Sequence, residues 1–176
     1  MNPATVFCVL TVLGLGAACS VDNGDAVQAS KLFGTWYEVD SYGDSLMAIF
    51  TKCITNSIVD TGSASGGIQK ARSYKWKLFP FITWNEKSSL LNRGTKWDLT
   101  TSSWFGSSST PMSIIKLADD FVILKTCPNA WFTDERIWVY SKNKDLTATT
   151  IAAINQALKD KNEPAYDSFR VISQTC

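Results

Sequence analysis

Between Gly34 and Cys127 the sequence is a succession of short stretches rich in Val, Ile, Thr and aromatic residues, cut apart by turn-forming clusters. The clusters are TGSASGG at 61–67, NRG at 92–94, FGSSSTP at 105–111 and ADD at 118–120. Short β-prone runs between such breaks predict antiparallel strands joined by hairpins. They fall near 34–42, 50–60, 68–76, 80–91, 95–104, 112–118, 121–127 and 135–142. A count of eight closes a small barrel around one ligand.

Beyond the last of these strands the period changes. Ile151, Ile154 and Leu158 recur at three and four residues, which predicts an amphipathic helix over 147–160. Thr147 suits its N-cap, and Lys159 and Lys161 suit the negative end of its dipole. A final apolar stretch at 169–172 fits an added edge strand. No repeat or long linker divides the chain. The fold expected is all-β: an eight-stranded antiparallel up-and-down barrel with one C-terminal α-helix packed on the outside.

Residues 4–18, ATVFCVLTVLGLGAA, form an uncharged apolar run of signal-peptide length, short for a bilayer crossing. We read 1–18 as a cleaved secretory signal, with small residues Gly16 and Ala18 before the cut, and 19–176 as a single domain with no integral membrane span. Cleavage removes Cys8 and leaves Cys19, Cys53, Cys127 and Cys176, an even set that in a secreted domain implies two disulfides. Spacing alone leaves all three pairings open.

Composition narrows the chemistry. Seventeen Lys+Arg face sixteen Asp+Glu for a net charge of +1, and the cations are scattered, so no field gathers nucleic acid. The chain has no histidine. That excludes Ser-His-Asp and Cys-His nucleophile systems, His-ligated metal centres and proximal-His haem, and sets the expectation of a non-enzyme without a metal site.

The run Gly34-Thr35-Trp36-Tyr37-Glu38-Val39 at the opening of the first strand resembles the lipocalin signature, in which Gly allows a tight approach and Trp fills the closed base of the barrel. Phe121-Val-Ile-Leu-Lys-Thr-Cys127 resembles the seventh strand of the insecticyanin-like, bilin-binding and apolipoprotein-D-like lipocalins, and Trp138-Val-Tyr-Ser-Lys-Asn-Lys-Asp-Leu146 is similar to their eighth strand and the turn into the helix. The resemblance spans 19–176. It implies pairing of Cys19 with Cys127 and of Cys53 with Cys176. Lys116-Leu117-Ala118 departs from the family's usual Thr-Asp-Tyr, and Lys142 stands where an Arg usually packs on the base Trp; its methylenes can still cover the Trp36 indole.

With the family register as anchor, Val122, Leu124, Thr126, Trp138 and Tyr140 face the lumen, while Ile123, Ile137 and Val139 face outward under the helix. Hairpins alternate between ends, so 42–46, 76–81, 104–111 and 128–134 lie at the open one. They carry Tyr42, Trp76, Phe79, Phe81, Trp104, Phe105, Trp131 and Phe132, a set suited to a ligand mouth. Trp97 with Leu99 has the alternation of a lumen wall, and the sequence alone allows either face. Glu38 shares the parity of Trp36, as either a ligand's polar partner or a paired carboxylate near the base. The ligand set is thus Glu38, Tyr42, Trp76, Phe81, Trp97, Trp104, Leu124, Thr126, Trp138 and Tyr140, with Gly34, Trp36 and Lys142 structural.

The resemblance implies a secreted carrier of a small hydrophobic molecule: a bilin, carotenoid, retinoid, sterol or fatty acid. No cofactor is required; a non-covalent chromophore, biliverdin or a carotenoid, is compatible, as is a homo-oligomer. The alternative is a secreted protein-binding module with its cavity filled by side chains. A thiol enzyme is disfavoured, because every mature cysteine matches a disulfide position.

Overall fold

In a computed structural model that describes residues 24–43, 45–62, 67–103, 106–127 and 135–176, consecutive strands pair antiparallel until the sheet meets itself. They are β1 (Gly34–Tyr42), β2 (Thr51–Asp60), β3 (Ile68–Trp76), β4 (Thr83–Arg93), β5 (Lys96–Ser103), β6 (Gly106–Leu117), β7 (Phe121–Thr126) and β8 (Arg136–Ser141). β8 returns to pair with β1, and β1 pairs with β2, which closes the barrel. The helix α2 (Ala148–Asp160) lies outside it, with the Thr147 side chain accepting from Thr150 N at the N-cap. Residues 1–23, including the expected signal segment and Cys19, lie outside the described residues.

β1 divides its outer edge between two partners. Gly34 to Tyr37 pair with β2, whereas Asp40 and Ser41 pair with the two-residue β9 (Arg170–Val171), the edge strand expected at 169–172. Ile172 N donates to Val39 O and Cys53 N donates to Ser173 O, each at 2.8 Å. The Cys53–Cys176 disulfide, with Cα atoms 5.8 Å apart, fixes this C-terminal segment where β1 leaves β2. Cys127 is also disulfide-bonded; Cys19, its expected partner, is not among the described residues.

Two hydrophobic layers share the wall of β7 and β8. Val122, Leu124, Trp138 and Tyr140 point inward to a cluster with Trp36, Ile58, Ile68, Leu90, Trp97, Met112 and Ile114. Their neighbours Ile123, Ile137 and Val139 point outward onto Ile154 and Leu158 of α2. Strand alternation on one side and helical spacing on the other produce this double burial. Ile151 is only half-buried, and Tyr166 and Phe169 extend the outer layer instead.

Two segments depart from the sequence expectation. The Ser-rich stretch expected as the 105–111 loop is the first half of β6, in register with β5 from Ser103↔Gly106 to Asp98↔Pro111. Pairing along a long hairpin overrides the local turn propensity of Gly, Ser and Pro. A short helix α1 (Ser45–Phe50) also occupies the connection before β2. Its Ala48 is buried against Ile54, Tyr74 and Ile172.

Candidate functional site

The barrel is sealed at one end by the segment preceding β1. A 3-10 turn, Ala29–Leu32, places Leu32 under the barrel, and Trp36 Nε1 donates to Leu32 O at 2.7 Å. Lys142 Nζ stands 3.6 Å from the Trp36 ring centroid. Gly34 adopts φ +113°, and a Cβ there would come within 3.2 Å of Lys142 Nζ, so glycine serves both the conformation and the close approach.

Above this floor the inward residues of β3 rise as Ile68, Lys70, Arg72, Tyr74 and Trp76, opposite Leu90, Ser88, Glu86 and Trp84 of β4 and the inward Ile58, Asn56 and Thr51 side of β2. Exposure along β4 grows from 2% at Leu90 to 51% at Trp84, so the interior is closed at the base and open at the far end. The opposite wall is more apolar: Leu124 and Thr126 of β7 and Met112 of β6 are buried, and Leu99 of β5 packs against the same cluster.

One wall of the lumen is a belt of charge. Arg72 donates to Glu38 at 2.8 Å and lies 3.8 Å from Glu86, which accepts from the Tyr74 hydroxyl at 2.9 Å. Burial and the Glu86 carboxylate push the Tyr74 phenol up to about 12. Lys70 Nζ donates to the Tyr140 hydroxyl at 2.7 Å and lies 5.0 Å and 5.9 Å from the Tyr140 and Trp138 ring centroids. Burial, aided by the Arg72 charge, pulls its ammonium down to about 8. Beside them Asn56, fully buried, has no partner for either amide atom. Glu38 Oε2 and the indole nitrogens of Trp97 and Trp138 are likewise buried without partners.

Among the residues singled out from sequence, Glu38, Trp97, Leu124, Thr126, Trp138 and Tyr140 line the inside. Trp76 is half-buried near the open end, against Tyr74 and Phe50. Phe81 is 80% exposed in the β3–β4 connection, edge-on to Phe79. Tyr42 does not reach the mouth. A bulge between Glu38 and Asp40 shifts the β1–β8 register, turning Ser41 inward opposite Trp138 and Tyr42 outward onto Phe169. Trp104, Phe105, Trp131 and Phe132 lie outside the described residues.

The charged belt itself was missed. Its signal was present in the alternation Ile68-Lys70-Arg72-Tyr74-Trp76, which puts two cations on the same face as the core residue Ile68.

The solved structures similar to this chain are lipocalins with the same closed eight-strand barrel. The chain has the lipocalin fold. Similar structures include the cockroach allergen Per a 4, at 17% identity and TM-score 0.72 over 90% of this chain and 96% of that one. Lobster apocrustacyanin A1 aligns at 14% identity and TM-score 0.67 over 84% and 79%. The siderocalin Ex-FABP aligns at 12% and 0.57 over 83% and 96%. No protein-family model and no curated protein sequence matches the chain. At these identities the likeness concerns the lipocalin fold alone.

Proposed function

We propose that the protein is a secreted carrier that holds one small, largely apolar molecule inside the barrel. The observation that carries this reading is the asymmetric interior: a sealed apolar floor, an open far end, and buried polar atoms without partners between them. Buried polar groups without a partner in the protein cost stability unless something satisfies them, and a bound ligand supplies such a partner. The Cys53–Cys176 disulfide supports an oxidising compartment. The described cysteines are all disulfide-bonded, so none offers a thiol for catalysis.

The magnitudes favour carriage. A ligand hiding about 400 Å² of apolar surface gains on the order of 10 kcal/mol at about 25 cal/mol per Å², and association costs about 4 kcal/mol or more. The remainder corresponds to binding in the tens of micromolar. Contacts to the polar belt then set whether binding is tighter, and which molecule is chosen.

A protein-binding reading draws on the exposed Leu78, Phe79 and Phe81 of the β3–β4 connection. The two separate on material purified from its source. Native mass spectrometry with an absorption spectrum reports cargo mass, any bilin or carotenoid chromophore, and subunit number together. A small-molecule adduct supports the carrier; an empty chain that co-purifies with a second protein supports the other reading.

A further inference from the structure

The partnerless atoms of the lumen have a direction. Lys70 uses one of its three protons on Tyr140, and no carboxylate among the described residues lies within ion-pair distance of it. Glu38, the nearest candidate, is committed to Arg72. Trp138 Nε1, Trp97 Nε1 and Asn56 Nδ2 are further donors without acceptors. Against these stand the orphaned acceptors Glu38 Oε2 and Asn56 Oδ1, with the Ser41 hydroxyl, also partnerless, able to donate or accept. The surplus is therefore of donors, around an ammonium that is 7% exposed.

The register gathers them. Ile58 pairs with Lys70 and Asn56 with Arg72, so Asn56 stands one step above Lys70 on the inner face. Tyr140 pairs with Glu38 across β1 and β8, and Trp138 is two residues from Tyr140 on the same face. A carboxylate is acceptor-only and can take several N–H bonds at once. It supplies the direct ion-pair partner that Lys70 lacks and acceptors for the neighbouring donors.

Resting on the carrier reading, we propose that Lys70 and Asn56 form a head-group subsite for a carboxylate, so that the preferred cargo is an amphiphile bound with its acid inward and its apolar tail along the Leu99–Leu124 wall toward the open end. The acid meets Lys70 from β3, with the Tyr140 hydroxyl from β8 beside it. Around it Arg72 on the same strand pairs with both Glu38 on β1 and Glu86 on β4, and the two carboxylates act on Lys70 only from beyond ion-pair distance. A carboxylate over Lys70 offsets the desolvation of the ammonium, so protonation of Lys70 and binding of the acid reinforce each other.

The test uses a neutral apolar fluorophore, N-phenyl-1-naphthylamine, displaced in turn by lauric acid, methyl laurate and dodecanol. Lauric acid is expected to displace it at least about tenfold more effectively than either neutral analogue at pH 7. That preference should fall about tenfold or more between pH 7 and pH 9.5 as free Lys70 loses its proton. Lys70→Met should abolish the preference while methyl laurate still binds, and Asn56→Leu should weaken it. Equal displacement by acid and ester in the unaltered protein overturns the subsite and leaves the carrier standing. A preference that survives in Lys70→Met, or is flat with pH, overturns the assignment to Lys70. Failure of the fluorophore and all three lipids to bind the unaltered protein overturns the carrier reading itself.

Discussion

The hydroxyl of Tyr166 donates to the carboxylate of Asp40, tying the turn after α2 to the second half of β1. Asp40 is 3% exposed, and burial pushes its carboxyl up to about 6 despite the Tyr166 hydrogen bond. The same burial and the Asp40 charge raise the Tyr166 phenol. A carboxyl whose folded value exceeds its unfolded value binds more protons in the native state, so its contribution is greatest below about pH 4 and is lost as pH rises through about 6. A shift of this size is worth up to about 3 kcal/mol. Urea unfolding should therefore show a component that declines between pH 4 and pH 6. Asp40→Asn, whose amide oxygen still accepts from Tyr166, should flatten it and be at least as stable as the parent at pH 7. An unchanged slope in that variant refutes the assignment.

Arg72 and Glu38 should respond unequally to mutation. Removing Arg72 strands a carboxylate that is 1% exposed and has no other cation within ion-pair distance among the described residues. Removing Glu38 leaves Arg72 with Glu86. Arg72→Met is expected to cost about 3–5 kcal/mol, and Glu38→Gln roughly half of that. Thermal or denaturant melts decide it, and equal costs contradict the picture of Glu38 as the dependent partner.

The floor should be separable from the cup. Trp36→Ala removes a fully buried indole and its hydrogen bond to Leu32, at a cost of about 3–5 kcal/mol. Lys142→Ala removes the cation over that ring and its two long hydrogen bonds to the Phe33 and Thr35 carbonyls, about 1 kcal/mol. Neither residue belongs to the polar belt, so the folded Lys142→Ala protein should bind the apolar fluorophore as the parent does.

Cys53–Cys176 closes a sequence separation of 123 residues and holds the strand that occupies the gap between β1 and β2. Cys53→Ser with Cys176→Ser is expected to lower stability by about 2–5 kcal/mol. Hydrogen exchange should accelerate first at Ile172 and Cys53, whose N–H groups bond across that seam. Uniform exchange changes over the whole barrel would argue against a local clasp.

The double-sided burial of β7 and β8 was legible because the lipocalin resemblance set the strand parity and the Ile154–Leu158 spacing supplied the cover that the outward face needs. The alternation of hairpins also placed the closed and open ends. Tyr42 was misplaced because one bulged residue after Glu38 inverts side-chain parity, and nothing local in the sequence announces it. β6 began earlier than its Ser and Gly content suggests because its order comes from β5 across the hairpin. The charged belt was missed for a different reason. Lys70 and Arg72 share the inner face of β3 with Ile68, but a cation carries no local mark that distinguishes a lumen face from a solvated one until the barrel closes.

The central claim is that the lumen receives a molecule, and saturable binding of N-phenyl-1-naphthylamine tests it most directly. Titration of the native protein should give one site per chain, and Thr101→Trp, which projects an indole into the upper lumen from β5 opposite Ser88, should abolish that site while the fold persists. Absence of saturable binding to the native protein, or binding that Thr101→Trp leaves untouched, would contradict a ligand held inside the barrel.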